Sequence, residues 1–315
     1  MRVAQSKKKR SFRSPKRQAE NAVRRVMALG TPRHGNKEDG KIHSLGTART
    51  YQGHLKLTAE WLKTTGHTAG LDHMTTDQAQ AYLIFRSESV GQKTLDLDRH
   101  AMRILPAVKQ EVLVREKTQV KPTAKKSLSA RSRAYTDDQR GLVRESLAPR
   151  HQLASEIILA AGLRTVEMLT IRPLAEQPAS THREWNPERY YGREDFIRYS
   201  VIGKGGLIRE VALPPALADK LEAQRRDASV TRMDRGVGYQ SYYDLPGGTT
   251  LTNSWSKASN HELGWSTGIH GLRHNYAQNR MDELQMRGFY YSDALAIISQ
   301  EMGHFRPDIT EVYLR

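Results

Sequence analysis

The segment His270-Gly-Leu-Arg-His274 carries two imidazoles and one guanidinium within five residues. It opens an amphipathic run from Leu272 to Met281, which indicates a helix. A second segment, Met302-Gly-His-Phe-Arg-Pro-Asp-Ile-Thr-Glu-Val-Tyr313, lies near the end of the sequence. Together the two segments predict a site that grips a phosphate group and brings one tyrosine hydroxyl to its phosphorus atom.

The totals of the sequence suit a basic globular protein with two domains. The chain has 315 residues, of which 37% are hydrophobic and 27% are charged, so a folded core is expected rather than disorder. The formal net charge is +16 and the isoelectric point is about 10.0. Such a surplus favours a polyanionic partner, most commonly nucleic acid, although composition alone leaves a basic protein without such a partner open.

The composition also excludes several classes. The absence of cysteine excludes disulfides, a thiolate nucleophile and cysteine-ligated zinc, and it fits a reducing compartment. The sequence has no run of about 18 apolar residues, so no membrane span is predicted. The basic N-terminus has no apolar segment behind it, so no secretory signal is expected. We therefore expect no membrane association and a cytoplasmic location.

Residues 1–40 hold twelve lysines and arginines against three acidic residues. Because few large apolar side chains lie there, we expect a flexible arm with little to bury and a short helix around Gln18–Met27. Such an arm can neutralise backbone phosphates, and a solvated tail is the alternative. The candidate DNA contacts in the arm are Lys7, Lys8, Lys9 and Arg10.

Residues 41–116 show apolar side chains at helical spacing and are predicted to form a helical domain. Thr75 and Gln78 precede one such stripe at the spacing of a capping box, and Pro106 predicts the start of a further helix. We expect four short helices around one modest core. The stripes are interpreted as core rather than as binding surface.

Residues 117–134 contain six basic side chains and no acidic one, which predicts a linker that lies along DNA. A solubilising linker without DNA contacts is the alternative. The candidate contacts are Lys121, Lys125, Lys126, Arg131 and Arg133.

A second domain is predicted over residues 135–315. Thr136 and Gln139 have the spacing of a capping box, and Gly162 ends the helix that follows. Alternation over residues 197–213 predicts a β-hairpin with Lys204 at its turn. Pro215 opens a helix predicted to reach Arg226, residues 228–260 remain unassigned, and Ser292–Met302 predicts another helix. The expected fold class is mainly α with a small β-sheet (α+β).

Five pieces of this second domain occur in one order: Gly162-Leu-Arg164-Thr-Val-Glu167, Gly203-Lys204, His270-x-x-Arg273-His274, Gly303-His304 and Tyr313. Each piece is weak alone, but in this order the chain resembles the tyrosine recombinase family of the phage-integrase type. The matched region spans about half of the chain. The helical domain resembles, less specifically, the core-binding domain of that family. The resemblance implies a helical core-binding domain followed by a catalytic domain.

The resemblance assigns the nucleophile to Tyr313, whose hydroxyl would form a phosphotyrosine ester and so conserve the energy of the broken phosphodiester. Tyr276, Tyr290 and Tyr291 are rival tyrosines, interpreted as packing residues or DNA contacts.

It assigns to Arg164 and Arg273 the stabilisation of the charge on the non-bridging phosphate oxygens, because guanidinium groups match the geometry of these oxygens with paired hydrogen bonds. Lys204 would protonate the departing 5′-oxygen.

Four further side chains complete the implied catalytic site. His270 would accept or share the tyrosine proton or orient the phosphate, and His304 would contact a phosphate oxygen, while the division of labour between the two stays open. Glu167 is interpreted as the partner that holds Arg164, and His274 as a supporting residue. His270 and His274 have a spacing that can chelate zinc, but no cysteine accompanies them and no glutamate lies between them as in H-E-x-x-H. We therefore expect neither a metal nor another cofactor.

The expected function is that of a site-specific DNA recombinase that joins strands through a 3′-phosphotyrosine and a Holliday junction. The expected partners are double-stranded DNA, a homotetramer in the synaptic complex, a monomer or dimer when free, and accessory DNA-bending proteins. A bacterial, phage or mobile-element origin is implied. Type IB topoisomerase activity and a non-catalytic DNA-binding regulator are the alternatives. Only two residues follow Tyr313 here, whereas family members often continue into a segment that contacts a neighbouring subunit.

Overall fold

The computed structural model describes residues 14–29, 39–67, 69–108 and 132–315, except for the side chain of Lys204. The chain divides into two compact units, Met1–Ser129 and Ala130–Arg315. Most of the predicted DNA contacts of the arm and the linker lie outside the described residues; these are Lys7, Lys8, Lys9, Arg10, Lys121, Lys125, Lys126 and Arg131.

The first unit is helical. Its described helices are α1 (Pro15–Arg25), α2 (Leu45–Thr64), α3 (Thr76–Ser87) and α4 (Gln92–Met102). The capping box predicted from sequence is present, because the Thr75 hydroxyl accepts from the Gln78 backbone while the Gln78 side chain accepts from the Thr75 backbone. Each of these bonds satisfies an amide that has no partner within the helix.

Helix α1 corrects the prediction of a flexible arm with little to bury. Ala19, Ala22 and Val23 are fully buried and join the same core as α2, α3 and α4. Small side chains on one face let a helix pack closely even when its other faces are basic. The short helix predicted around Gln18–Met27 is present as α1, but the prediction that this segment buries little is wrong, because residues 15–25 join the core of the helical unit. The residues just after Pro106 form turns, and the rest of the helix predicted there lies outside the described residues.

The second unit surrounds a small antiparallel sheet with helices, so the α+β class predicted from sequence is confirmed. Its helices are α5 (Asp137–Glu145), α6 (Pro149–Ala161), α7 (Pro215–Glu222), α8 (Gly248–Leu263), α9 (Gly271–Met286), α10 (Tyr291–Glu301) and α11 (Pro307–Glu311). The strands β1 (Arg172–Pro173), β2 (Ile197–Ile202) and β3 (Ile208–Leu213) pair in the order β1-β2-β3. The hairpin predicted around Lys204 is the β2–β3 pair.

A second hairpin corrects the prediction over residues 214–260. Helix α7 ends at Glu222 rather than at Arg226, and β4 (Arg225–Asp234) pairs with β5 (Val237–Tyr243) before α8 begins. Most side chains of β4 are exposed, so no apolar alternation revealed it. Arg235 and Gly236 have φ values of 49° and 73°, which gives the type I′ turn that suits a two-residue hairpin loop.

Two apolar clusters place the functional elements. The larger one gathers the sheet, α5, α6 and α8 around Trp255 and Tyr135. The other lies between α9 and α10, and Tyr313 and Leu314 pack against it. The C-terminal turn is therefore anchored on α9. Within the described ranges, no helix is both long and apolar enough for a membrane span.

Candidate active site

The turn after α6 brings Arg164 to the site. Gly162 ends α6 in the left-handed conformation (φ 58°), and a Cβ there would lie 2.5 Å from Cδ1 of Tyr276, so only glycine fits. Glu167 then holds Arg164 twice. One carboxylate oxygen accepts from the Arg164 backbone N–H at 2.8 Å and the other from its Nη1 at 2.7 Å. The Arg164 side chain stays 26% exposed and so remains open to a ligand.

Glu167 is a fully buried carboxylate among three arginines. Arg209 donates to it from 2.7 Å and Nη1 of Arg273 lies 3.9 Å away, in addition to Arg164. Burial alone would raise the pKa of Glu167, but the charges of Arg209, Arg164 and Arg273 outweigh it and lower the pKa to about 2. The carboxylate is therefore ionised at neutral pH and can orient the arginines.

Arg209 was not among the predicted site residues. It lies on β3 and also donates to the backbone carbonyl of Glu301 at the end of α10. Gly303 packs on it so closely that a Cβ would lie 2.8 Å from its Cδ. A signal was present in the sequence, since Arg209 shares the inward register of Val211 and Leu213.

Arg273 is fully buried in the first turn of α9. It donates to the carbonyl of Gly162, to the carbonyl of Met302 at 3.3 Å and to Nε2 of His304 at 3.1 Å. Burial, followed by repulsion from Arg164, lowers the pKa of Arg273 to about 10, so it still carries its charge at neutral pH. The two arginines that the sequence pattern singled out therefore belong to one electrostatic cluster.

His270 and Tyr313 are paired. His270 precedes α9, and its Nε2 lies 2.9 Å from the hydroxyl oxygen of Tyr313. Burial lowers the pKa of His270 to about 3, and the charge of Arg273 adds to the shift. The imidazole is therefore neutral at pH 7 and keeps one nitrogen without a proton, while the same lowered pKa makes it a weaker base than a free imidazole.

His304 has a defined tautomer. Because Arg273 can only donate, Nε2 of His304 is the acceptor, and the proton resides on Nδ1, which donates to Thr310 Oγ1 at 2.9 Å. Burial and the charge of Arg273 lower the pKa of His304 to about 3. Its ring centroid is 5.1 Å from that of Tyr313, so it forms one wall around the tyrosine.

The residue after His304 is held in a strained conformation. Phe305 has a φ of 55°, which is uncommon for a residue with a bulky side chain. Its ring lies 4.8 Å from that of Trp185, in the long connection between β1 and β2, and Arg189 lies over the Trp185 ring at 4.2 Å. Neither Trp185 nor Phe305 was among the predicted residues, because only the folded chain brings them together.

His274 lies against the tyrosine, and Arg133 lies at the edge of the site. The His274 ring lies 4.6 Å from the Tyr313 ring, and its Nδ1 has no hydrogen-bond partner among the residues that the structure describes. Arg133 donates to the carbonyl of Thr267 at 2.7 Å. Burial lowers the pKa of His274 to about 4, and the positive charge of Arg133 acts in the same direction. Arg133, predicted as a linker contact, therefore lies at the edge of this site.

Lys204 lies at the tip of the β2–β3 hairpin, as predicted, and its side chain lies outside the described residues. The next two residues, Gly205 and Gly206, have φ values of 80° and 82°, which glycine adopts without strain. In the described part of the chain, no group of three or more histidine, aspartate or glutamate side chains could hold a metal ion. Among the side chains that the structure describes at this site, the positive charge comes from Arg164, Arg209 and Arg273.

No protein-family model matches the chain, and no curated protein does. Its fold is that of the tyrosine recombinases, as the motifs predicted, and solved structures of two recombinases are similar to it. The structure of XerH bound to difH DNA before cleavage has a TM-score of 0.54 and 14% sequence identity to this chain. The match covers 100% of this chain and 96% of the XerH chain. The XerH complex after cleavage has a TM-score of 0.53 and 13% identity, covering 98% of this chain and 94% of that one. A lambda integrase dimer bound to a COC′ core site has a TM-score of 0.51 and 16% sequence identity, and the match covers 90% of this chain and 93% of the integrase chain.

Proposed function

We propose that this protein is a site-specific DNA recombinase of the integrase type, which cuts and rejoins DNA through a 3′-phosphotyrosine intermediate. The observation that carries the proposal is the 2.9 Å distance between Tyr313 Oη and Nε2 of a buried, neutral His270. That pair lies beside a guanidinium, since Arg273 lies over the Tyr313 ring at 5.7 Å. The DNA in the XerH and lambda integrase structures supports DNA as the substrate class.

Tyr313 acts as the nucleophile. A nucleophilic hydroxyl needs a base within hydrogen-bond reach, and the neutral His270 lies at that distance. The phenolic oxygen attacks the scissile phosphorus and forms a bond to it, the bond from phosphorus to the 5′-oxygen breaks, and the tyrosine proton passes to His270. The energy of the phosphodiester is kept in the new ester, so no ATP is required.

Arg164 and Arg273 stabilise the charge that develops on the non-bridging oxygens. Planar guanidinium groups donate paired, charge-assisted hydrogen bonds to such oxygens. Glu167 holds Arg164 in place before DNA arrives, so little reorganisation is needed in the transition state. Once Arg273 turns to the phosphate, His304 can take its other tautomer, accept from the Thr310 hydroxyl at Nδ1 and donate from Nε2 to a phosphate oxygen. His274 supports the tyrosine ring.

Lys204 protonates the departing 5′-oxygen from the tip of the β2–β3 hairpin. An alkoxide is a poor leaving group, so an acid at this position accelerates cleavage. The free 5′-hydroxyl of one strand then attacks the phosphotyrosine of its partner strand. The exchange of strands proceeds through a Holliday junction. Four protomers would hold two DNA sites in the synaptic complex, the free protein would be a monomer or a dimer, and accessory DNA-bending proteins would assist.

The basic surplus of the chain supports DNA binding. The arm and the linker contribute Lys7 to Arg10, Lys121, Lys125, Lys126, Arg131 and Arg133. Cations at phosphates release counterions, so binding weakens as salt rises. We also propose a basic N-terminal arm and a basic linker around the helical DNA-binding domain, a DNA-associated cytoplasmic location and a bacterial, phage or mobile-element origin.

A nicked suicide substrate tests the proposal, because loss of the short 5′-fragment traps the covalent complex. The wild type should form a protein–DNA adduct that survives denaturation, and Tyr313→Phe should bind DNA equally well without forming one. Strand exchange between two differently labelled duplexes separates recombination from the topoisomerase alternative, which relaxes supercoils without exchange. A wild type that binds DNA and forms no adduct would support the non-catalytic regulator instead.

A further inference from the structure

One face of the first half of α9, together with the residue before it, contacts Tyr313. Residues four apart in a helix lie on the same face, and His270, His274 and Gln278 follow this spacing through the start of α9. His270 meets the hydroxyl of Tyr313, and the His274 ring packs against its ring. Gln278, the third member, meets the backbone of the same residue.

Gln278 holds the C-terminal turn through two hydrogen bonds. Its Nε2 donates to the backbone oxygen of Tyr313 at 3.2 Å and to that of Arg315 at 3.0 Å. The last carbonyls of a helical turn have no partner within the turn, and a carboxamide carries two N–H donors that can satisfy them. Gln278 therefore caps this turn from a neighbouring helix.

The turn has little stability of its own. Helix α11 has five residues, and the 3₁₀ turn that carries Tyr313 has three. Helices this short are not stable in isolation, so their geometry is set by tertiary contacts. Here those contacts are Tyr313 and Leu314 on the α9–α10 cluster, the bond between His304 and Thr310, the bond from His274 to the backbone of Tyr313, and the two bonds from Gln278. Among these described contacts, the bonds from Gln278 reach the backbone of both Tyr313 and Arg315.

We propose that Gln278 is a positioning residue that fixes the backbone of Tyr313 on α9 of the same protomer, so that the hydroxyl stays against His270. This inference rests on the proposed role of Tyr313 as the nucleophile. Gln278 acts through the tyrosine and contacts neither of the reacting atoms. A single helix thereby sets both the hydroxyl and the backbone of the nucleophile.

Gln278→Met tests the proposal, because methionine has a similar length and no donor. Gln285→Met is the matched control, since Gln285 is exposed on the same helix. Hydrogen exchange of residues 307–315 in the DNA-free protein should become about tenfold faster in Gln278→Met and should not change in the control. The single-turnover rate of adduct formation at saturating DNA should fall roughly tenfold to a hundredfold, since misplacement of a reacting group by about 1 Å costs about a hundredfold. DNA affinity should be unchanged, and Gln278→Lys, which restores a donor, should recover part of the rate.

The positioning role of Gln278 and the proposed function can be refuted independently of each other. Unchanged exchange in Gln278→Met, or faster exchange with an adduct rate within twofold of the wild type, would overturn the positioning role. If the wild type forms no adduct on any DNA, the proposed function fails, and the exchange comparison still decides whether Gln278 holds the turn. Should Gln278→Met not fold, Gln278→Glu, which has the same shape and no donor, takes its place.

Discussion

Nη2 of Arg209 lies 2.7 Å from Oε2 of Glu167, and both side chains are completely buried. The same carboxylate binds the Arg164 guanidinium through its other oxygen, and Arg209 also reaches the end of α10 at Glu301, three residues before His304. This ion pair therefore joins the β2–β3 hairpin, the Arg164 turn and the His304 loop.

Removal of Arg209 should destabilise the catalytic unit strongly. Arg209→Met leaves the buried Glu167 carboxylate without one of its two closest cations, which costs about 3–5 kcal/mol in comparable buried pairs. The free energy of unfolding, measured by urea denaturation, should fall by that amount. Arg144→Met is the control, since its pair with Glu156 is partly exposed and should contribute less than about 1 kcal/mol. Equal losses in the two variants would contradict a special role for the buried pair.

The stability of the protein without DNA should depend on pH through the site histidines. Burial lowers the pKa of His304 from 6.5 to about 3, so the folded state binds fewer protons than the unfolded state between these values. Stability is then complete above pH 6.5 and declines as the pH falls towards 3. His304→Asn should reduce the loss between pH 6.5 and pH 4 by roughly 3 kcal/mol, while the exposed His182→Asn should not. A parallel pH profile for wild type and His304→Asn would mean that His304 titrates normally.

Trp185→Ala should lower activity more than stability. Phe305 holds a positive φ next to His304, and such a conformation persists only when its surroundings impose it. Loss of the Trp185 ring should let the His304 loop relax, and the adduct rate should drop about tenfold with DNA affinity retained. Met286→Ala removes an exposed apolar side chain elsewhere and serves as the control. An unchanged adduct rate in Trp185→Ala would show that the His304 loop does not need this packing.

Reversal of charge in the N-terminal arm should weaken DNA binding without regard to sequence. Changing Lys7, Lys8, Lys9 and Arg10 to glutamate removes cations that could neutralise phosphates. Affinity should fall for specific and non-specific duplexes alike, and the salt dependence of log K should flatten by about 0.9 for each phosphate that the arm no longer neutralises. Titrations between low and physiological salt measure both effects. An unchanged affinity would make the arm a solvated tail.

Local signals in the sequence predicted the parts of the fold that depend on local chemistry. Thr75 and Thr136 start helices with capping boxes, and Gly162 ends one where a side chain would meet Tyr276. Alternation predicted the β2–β3 hairpin. The β4–β5 hairpin escaped because β4 is mostly exposed and has no apolar period, and the packing of α1 escaped because alanines give a weak apolar signal.

The candidate site also contains some residues that the sequence predicted and others that only the folded chain reveals. Motif spacing predicted His270, Arg273 and Tyr313, and folding brings them together. Arg209 and Gln278 were missed, because their roles arise from contacts between residues far apart in the chain. A single sequence shows that a residue is charged or polar, but the partner that gives it a role appears only once the chain is folded.

The identity of the nucleophile can be read directly from the adduct. Protease digestion of the complex trapped on a nicked substrate, followed by mass spectrometry of the DNA-linked peptide, locates the modified residue. The proposal predicts a 3′-phosphate on Tyr313 and no adduct from Tyr313→Phe. A DNA-linked peptide that instead contains Tyr276, Tyr290 or Tyr291, or an adduct that persists in Tyr313→Phe, would contradict it.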